Sequence, residues 1–561
     1  MTASLVIPPG VVLILGGLLL PLLSVRLRQL LLLLLPLVTL YLVWQVPDGL
    51  SLEAPFLGYT LELVKGDALS RLFATIFAIM AFAGGLFALN QSRVTELAAA
   101  LCYAGSAIGV AFAGDLLTVF IFWELMAIAS TLVLWSAGPS ASRAGMRYAV
   151  IHLFGGVLLM AGIVGEFAMT GSLAFDKLAL DTLPRWLILA GFLLNAGAPP
   201  LSAWLPDAYP ESSWSGMVVL SAFTTKTAVY VLLRGFPGAE LLIYVGLFMV
   251  FYGIIYAILE NDMRRILAYS IVNQVGFMVT GIGIGTEMAL NGAAAHAFAH
   301  IIYKALLLMS AGSVLYMTGK RKCTDLGGLF RTMPLTTICG IVGALSISSF
   351  PLTSGFVTKS MISEAAGMQH LEVVWYLLAA ASAGVFLHAG IKFPWFVFFQ
   401  RDSGLRPDDP PWNMRAAMIF FAALCIIIGV LPGPLYALLP FPVTYVPYTA
   451  SHVVFYLQLL LFSGLAFFLM LGWLKRTLTI TLDVDWFYRK LGPMLVRSLD
   501  RAMESTGGGI GNAAARGGRE FLGVVQRHYG PDGTLARGWS TGSMTFWATV
   551  MLAAYLVLSY L

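Results

Sequence analysis

Two charged residues interrupt apolar stretches of this 561-residue chain and are suited to proton transfer. Glu124 lies in the middle of the apolar run Leu116–Ile128, and Lys226 lies deep in a second run. A charged side chain at the centre of a bilayer costs about 2.5–3.5 kcal/mol, so such residues are functional candidates that need a partner or a water-filled cavity. A lysine beside a carboxylate holds its proton until the carboxylate is protonated. We therefore expect Glu124 and Lys226 to form a proton-carrying pair, the alternative being a structural ion pair.

A second group of titratable residues has helical spacing. His296, His300 and Lys304 follow one another at i, i+4 and i+8. In an α-helix they would stack on one face, about 6 Å apart at each step. Histidine titrates near neutral pH, so this ladder can pass protons through bridging water. Two histidines at this spacing can also bind zinc, but no third ligand is evident and Lys304 disfavours a nearby cation, so we expect no metal.

Three further residues are candidates with a plausible structural alternative. Lys359 ends the stretch Gly355–Lys359, and we expect it to belong to the relay. Lys392 is a candidate accessory residue, although a lysine near a membrane surface can also extend its ammonium group to water. His152 is a second accessory candidate. The alternative is a hydrogen-bonded core histidine, which is just as common.

The composition excludes a soluble protein. Of the residues, 59% are hydrophobic and only 11% are charged, with a mean hydropathy of +0.85, whereas a soluble domain carries roughly 25% charged residues. Apolar runs of the roughly 20 residues that a spanning helix needs recur along almost the whole chain. We predict an all-α membrane protein with about sixteen transmembrane helices, embedded in a lipid bilayer.

Cofactor and nucleic-acid binding are not expected. The four cysteines lie far apart, so no pair has the spacing of a metal site, an iron–sulfur cluster or a redox dithiol. No dinucleotide-binding motif occurs, and no basic cluster on a polar face suggests nucleic acid.

The loops set the expected orientation. Lysine and arginine concentrate in alternate loops, which should face the cytoplasm, so both termini are expected outside. Between residues 476 and 540 the chain is polar and basic, and Leu491, Leu495 and Leu499 form one apolar stripe. This stripe favours an amphipathic helix on the cytoplasmic surface, the alternative being a solvated linker.

Prolines interrupt two of the predicted helices. Pro199 and Pro200 interrupt helix 7, and Pro351 interrupts helix 12. Proline removes a backbone donor, and the freed carbonyls survive in a bilayer only against protein or water. The breaks lie five helices apart, which is typical of a transporter with internal repeats. The predicted organisation is helices 1–3 (1–95), a first five-helix repeat (96–235), a second five-helix repeat (236–400), helices 14–15 (401–475), the amphipathic segment (476–540) and a C-terminal anchor helix (541–561).

Several motifs resemble those of the antiporter-like proteins shared by respiratory complex I and Mrp-type antiporters. They occur in order between about Asp67 and Lys392. The motifs are Asp115–Glu124, Trp204–Pro210, Thr225–Arg234, Asp262–Ser270, His300–Lys304, Leu326–Leu329 and Gly355–Lys359. The resemblance implies fourteen core helices in two inverted repeats and a hydrophilic axis across the membrane. It also implies that protons are carried by Glu124, Lys226, His300, Lys304 and Lys359.

The chain departs from the family pattern in helix 7. Asn195 stands where the family usually has a lysine, and Ser202 stands where it usually has a histidine. Asn195 cannot titrate, so Lys226 must serve Glu124 alone or with help from His152. The Asn195 amide can hold a water molecule, which makes Asn195 a further accessory candidate. The C-terminal region resembles the surface helix and extra anchor of the larger antiporter-like protein of complex I and of the A-type Mrp protein. The length and core are more similar to the D-type Mrp protein.

The resemblance suggests several functions. The first is a proton-translocating subunit of a multi-subunit Na⁺(K⁺)/H⁺ antiporter, with other membrane subunits, H⁺ and Na⁺ or K⁺ as partners. The second is a proton-pumping subunit in the membrane arm of an NADH:quinone oxidoreductase or membrane hydrogenase. A partner in inorganic-carbon uptake and a non-conducting scaffold are further alternatives. In each case we expect no catalytic chemistry from this chain itself.

Overall fold

The structure, a computed structural model, describes residues 7–473, 483–501, 520, 523–524, 527 and 541–559. The chain forms two compact units, Met1–Asp485 and Trp486–Leu561. Within the described ranges, twelve helices are long and apolar enough to cross a bilayer, and four shorter apolar helices accompany them. The predominantly helical membrane fold is therefore confirmed, whereas the number of sixteen spans stays a prediction.

The first unit contains nineteen described α-helices. They are α1 (Pro9–Leu19), α2 (Val25–Trp44), α3 (Ala68–Phe87), α4 (Val94–Phe112), α5 (Leu116–Ser136), α6 (Pro139–Thr170), α7 (Leu183–Ala196), α8 (Trp204–Ala208), α9 (Gly216–Leu220), α10 (Thr224–Gly235), α11 (Leu241–Leu259), α12 (Met263–Ile284), α13 (Glu287–Thr318), α14 (Pro334–Ile347), α15 (Ser354–Met368), α16 (Glu372–Val385), α17 (Trp412–Val430), α18 (Gly433–Tyr436) and α19 (Ala450–Leu469). Short 3₁₀ turns lie at Leu20–Leu22, Ala88–Asn90, Tyr209–Glu211, Cys323–Asp325 and Leu329–Arg331.

In the second unit the described helical residues are few. Its π-helical turn is Phe487–Leu491, within the helical stretch 485–501 that begins at the end of the first unit. The last helix is α20 (Thr541–Ser559), close to the predicted anchor at 541–561. Most of the predicted amphipathic segment 476–540 lies outside the described residues, so that prediction and the rest of the domain division stay untested.

An antiparallel hairpin between α2 and α3 was not expected from the sequence. Strand β1 (Ser51–Phe56) pairs with β2 (Tyr59–Lys65). The two residues between the strands, Leu57 and Gly58, both have positive φ, at 49° and 86°, which is the geometry of a tight type I′ turn. The backbone N–H of Glu62 donates to the Asp115 carboxylate (2.7 Å), which ties the hairpin to the start of α5.

Both predicted helix breaks are confirmed. α7 ends at Ala196 and the helical path resumes only at α8, while α14 ends at Ile347 and α15 begins at Ser354. At the second break, Ser349 and Leu352 adopt positive φ, so the chain turns out of the helical path. Most side chains around the breaks are buried, including Ala198, Ser348 and Ser349, whereas Pro200 and Leu352 are exposed.

The span that contains α16 changes its geometry halfway. After Val385 the helix widens into π-helical turns at Phe386–Lys392 and Trp395–Phe399. Pro394 lies between the two turns and lacks a backbone donor, which disturbs the regular ladder. Such π-turns occur mostly at functional or strained positions, and this one directs Lys392 towards α11.

Candidate proton-transfer site

The helix α13 carries the titratable ladder through the centre of the first unit. His296, His300 and Lys304 are all completely buried on this helix. Alanines flank them, including Ala293–Ala295, Ala297 and Ala299. Small side chains let neighbouring helices approach closely in a membrane, so α13 is enclosed by protein and the ladder is shielded from lipid.

Neighbouring helices hold two members of the ladder. His296 hydrogen-bonds through Nε2 with the Gln274 side-chain oxygen of α12 (3.1 Å) and through Nδ1 with the Thr358 hydroxyl of α15 (3.3 Å). The Lys304 ammonium donates to the Ser270 hydroxyl of α12 (2.8 Å). The ladder is thus fixed from α12 on one side and from α15 on the other.

His300 differs from the other two members of the ladder in its hydrogen bonding. Neither of its ring nitrogens has a hydrogen-bond partner among the described residues. Its ring contacts the edge of the Tyr303 ring, with 5.2 Å between centroids. Because buried polar atoms are almost always satisfied by protein or water, bridging water is the partner that we expect at His300, as a relay between His296 and Lys304 requires.

Two buried lysines bind backbone carbonyls that are freed where helices break. The Lys226 ammonium donates to the Ser221 carbonyl (2.7 Å), which follows the last residue of α9, and to the Thr225 hydroxyl (3.1 Å). The Lys359 ammonium donates to the carbonyl of Ile347 (3.4 Å), the last residue of α14. The last carbonyls of a helix lack intrahelical partners and carry partial negative charge, so each break supplies the neutral acceptors for one lysine.

The expected pair of Glu124 and Lys226 is not formed. The Glu124 carboxylate lies instead against the backbone of α6, where an added Cβ on Gly156 would come within 2.0 Å of Oε1. Within the part of the chain that the structure describes, this oxygen has no hydrogen-bond partner. The sequence pattern located both groups in apolar surroundings, but it could not show that they point to different neighbours.

His152 and Asn195 are brought together beside Glu124. His152 Nδ1 hydrogen-bonds with the Asn195 side-chain oxygen (2.8 Å), and the His152 ring packs on Trp204, with 4.7 Å between centroids. His152 lies one helical turn from Gly156, the residue that contacts Glu124. The structure thus supplies a titratable group in the same neighbourhood, where Asn195 replaces the lysine that is usual in the family.

Lys392 has a structural role in this geometry. Its ammonium donates to the carbonyls of Ala257 (3.1 Å), Ile258 and Glu260 (2.6 Å), at the end of α11. A cation at a helix C-terminus satisfies the last carbonyls and interacts favourably with the helix dipole. The lysine therefore caps α11, and its assignment as an accessory relay residue stays an untested prediction.

Sequence reasoning missed the polar residues that position the ladder. Ser270 and Gln274 are four residues apart on α12, and Tyr303 donates to the Gln274 side-chain oxygen (3.1 Å). Their helical spacing in an otherwise apolar segment was the signal that could have identified them. A second missed feature is the double hydrogen bond from Arg147 to Asp207 (2.7 and 2.8 Å), which holds the segment after the first break.

These elements define a polytopic membrane protein in which broken helices and a central helix enclose lysines and histidines. The chain matches the family model described as "NADH:quinone oxidoreductase/Mrp antiporter, TM" over residues 113–387. It belongs to that family of antiporter-like membrane proteins, as its motifs had indicated.

Curated relatives come from both branches of the family. The chain is 30% identical over 395 residues to the probable K(+)/H(+) antiporter A/B protein of Rhizobium meliloti, covering 65% of this chain and 39% of that protein. It is 28% identical over 428 residues to the D component of the Na(+)/H(+) antiporter of Alkalihalophilus pseudofirmus, covering 70% and 83%. It is 27% identical over 414 residues to the M component of the NADH-quinone oxidoreductase of Pseudomonas aeruginosa, covering 67% and 80%.

Solved structures share the fold. A protein of the Mrp complex from Dietzia sp. superposes with a TM-score of 0.67 at 20% identity, covering 77% of this chain and 94% of that one. A protein of the membrane-bound sulfane sulfur reductase, an archaeal respiratory membrane complex, superposes with a TM-score of 0.72 at 24% identity, covering 98% and 99%.

Proposed function

We propose that this protein is a proton-translocating subunit of a multi-subunit monovalent cation/proton antiporter. The observation that carries the proposal is the set of fully buried lysines on three helices, which bind carbonyl and hydroxyl oxygens. In the described part of the chain none of Lys226, Lys304 and Lys359 has a carboxylate within salt-bridge distance. Charges in a low-dielectric interior interact strongly, so the protonation of one lysine affects the next.

The proposed path runs across both halves of the first unit. It begins at Glu124 with His152 and Asn195, continues to Lys226, and then reaches the ladder on α13 and Lys359. Lys226 acts electrostatically on His300 and Lys304, and Lys359 acts on His296. Water is needed where these groups are not in direct contact, above all at His300, and proton transfer along such a chain is the role for which histidine and lysine are suited.

Partners follow from the family. The relatives are named as components of K(+)/H(+) and Na(+)/H(+) antiporters, and we infer that this chain also assembles with other membrane proteins that complete a path for Na⁺ or K⁺. We place the complex in the plasma membrane. The basic loops support a cytoplasmic location for residues 476–540 and an outside location for both termini.

A second candidate is a proton-pumping role in the membrane arm of a redox complex. It is favoured by the similarity to the M component of an NADH-quinone oxidoreductase, of which 80% is covered. In that case the redox chemistry would belong to other proteins of the complex, and the same buried groups would carry the protons.

The test begins with purification of the tagged complex from its host in mild detergent and identification of its components. Membrane proteins without flavin or iron–sulfur proteins support the antiporter, and redox proteins would transfer the proposal to the second candidate.

The complex is then reconstituted, and ΔpH is measured in Na⁺ and in K⁺. We expect Glu124→Gln and Lys226→Ala to abolish ΔpH formation, while Lys320→Ala at an exposed position retains it. Wild-type transport in either relay variant would contradict the assignment of that residue.

A further inference from the structure

A buried carboxylate at the start of α4 has no place in the path described above. Glu96 is only 2% exposed. Its oxygens accept hydrogen bonds from Ser213 Oγ (2.6 Å), Ser215 Oγ (2.5 Å), Gln91 Nε2 (3.2 Å) and Ser136 Oγ (3.4 Å). Its partners within hydrogen-bonding distance are thus neutral, and hydroxyl donors of this kind can solvate both the ionised and the protonated carboxyl group.

Two other buried carboxylates, Asp207 and Glu166, differ from Glu96 because each is paired with an arginine. Asp207 is paired with Arg147, and Glu166 is paired with Arg185. No lysine or arginine forms a salt bridge with Glu96 in the described ranges. Protonation of Asp207 or Glu166 would break an ion pair, whereas protonation of Glu96 would break none in the described residues.

A polar cleft of about 420 Å³ leads to the residues that hold Glu96. Gln91 and Ser213, which both donate to Glu96, line this cleft together with Glu211, Arg264 and Arg321. The cleft lies among the ends of helices that adjoin the basic loops, which is the cytoplasmic side in the proposed orientation. The side chains of Gln91 and Ser213 therefore lie between the cleft and the carboxylate.

A buried arginine, Arg264, lies on the other side of the loop that holds Glu96. This guanidinium is itself buried and donates to the carbonyls of Pro210 (2.9 Å), Ser212 (2.8 Å) and Ser213 (2.7 Å). Ser213 links the two groups, since its hydroxyl donates to Glu96 and its carbonyl accepts from Arg264, and the two opposite charges also attract each other. The other charged groups of the cleft also surround this loop, and among them Glu211 and Arg321 pair with each other (3.0 Å).

Polar groups continue from Glu96 towards Lys226. Tyr103 is seven residues after Glu96 on α4, so it lies on the same face about 10.5 Å further along the helix. The Tyr103 hydroxyl hydrogen-bonds with the hydroxyl of Thr224 and donates to the carbonyl of Leu220. The next residue, Thr225, accepts a hydrogen bond from Lys226 (3.1 Å).

A small cavity lies beside Glu96. It is lined by Glu96, Ser215 and Phe223 among others, and its volume is about 30 Å³. Its other lining residues are largely apolar, and it has room for one water molecule beside the polar groups of Glu96 and Ser215. The ring of Phe223, which lines the cavity, also packs against Tyr103, with 5.0 Å between centroids.

We propose that Glu96 takes up protons from the cytoplasmic cleft and supplies them to Lys226. The inference rests on the proposed function. The Glu96 carboxylate accepts a proton from water in the cleft and becomes a carboxylic acid. It then releases that proton, through water and the hydroxyls of Tyr103 and Thr224, to the neutral amine of Lys226. Glu96 returns to the carboxylate, and Lys226 becomes an ammonium group.

The competing explanation is that Glu96 only fastens the loop 210–215. Glu96→Gln separates the two roles, because its amide oxygen still accepts from the serine hydroxyls but the side chain cannot carry a proton. Glu96→Asp keeps a titrating carboxyl group with a shorter reach. Glu372→Gln, at an exposed position, is the matched control for removing a carboxylate.

The experiment measures the initial rate of ΔpH formation by the reconstituted complex, per assembled complex. We expect Glu96→Gln to lower the rate at least tenfold, Glu96→Asp to retain more of it, and Glu372→Gln to match the wild type. A wild-type rate in Glu96→Gln, or equal rates in the Gln and Asp variants, overturns the role of Glu96. If Lys226→Ala is inactive while Glu96→Gln is fully active, only this inference fails. If the wild-type complex moves no protons, the proposed function fails, and the role of Glu96 fails with it.

Discussion

Substitution of a single glycine tests the position of Glu124 without removing any titratable group. In Gly156→Ala the new Cβ would lie 2.0 Å from Glu124 Oε1, and an ordinary contact requires at least 3.4 Å. The carboxylate must therefore move by at least about 1.4 Å, and a displacement of about 1 Å at a reacting group can cost 10²-fold in rate. We expect proton transport to fall by about two orders of magnitude.

The adjacent glycine provides the matched control. In Gly155→Ala the new Cβ would meet the flexible end of Leu194 at 3.2 Å and the Asn195 side-chain oxygen at 3.7 Å, so Glu124 is not displaced. Both substitutions lie inside α6, where alanine is more favourable than glycine by about 0.5–1 kcal/mol. Neither variant is therefore expected to lose stability through helix propensity.

The assay is the quenching of a ΔpH-sensitive dye in vesicles that contain equal amounts of assembled complex. The expected order of rates is wild type, then Gly155→Ala close behind, with Gly156→Ala near the background. Equal rates in the two variants would refute the reasoning, because the position of the Glu124 carboxylate would then not matter. A fully active Gly156→Ala beside an inactive Glu124→Gln would show that the carboxylate works from another position.

Two further predictions concern residues that hold helices. Lys392→Met should remove the cap from the end of α11 and lower the free energy of unfolding by about 2–3 kcal/mol, which thermal unfolding in detergent measures. Complete loss of transport in an equally stable complex would instead make Lys392 a relay residue. Asp483 accepts hydrogen bonds from the hydroxyls of Tyr252 (2.6 Å) and Tyr269 (2.7 Å). Asp483→Ala should leave these hydroxyls without their acceptor, at a cost of about 1–3 kcal/mol, and should speed amide hydrogen exchange at the start of α12. Exchange at the wild-type rate would show that Asp483 does not stabilise this helix.

Part of the site could be predicted from residue types alone. Glu124, Lys226 and Lys304 stood out because a charge within an apolar run is costly and therefore rarely accidental. The breaks at Pro199, Pro200 and Pro351 were predictable because proline cannot continue the backbone ladder. Each of these signals is contained in a short stretch of sequence, so no knowledge of helix packing was needed.

Other features depended on contacts between distant segments. The partner of Glu124 was wrongly expected to be Lys226, because the sequence does not say which helix faces α5. Glu96 was not identified, since a carboxylate at the start of a helix is usually exposed, and only the fold covers it with the loop that contains Ser213. The hairpin of β1 and β2 was missed because the long apolar helices on either side dominate the hydropathy pattern.

The sequence by itself determined that this chain spans a membrane, which family it resembles and where two helices break. These properties follow from apolar length, ordered motifs and proline, all of which are local. The tertiary structure decided which groups satisfy the buried lysines, namely carbonyls for Lys226 and Lys359 and a helix end for Lys392. It also placed the Glu124 carboxylate against the backbone of α6. The physical reason is that the energy of a buried charge depends on all the dipoles within a few ångströms, and helix packing brings those dipoles together from distant parts of the chain.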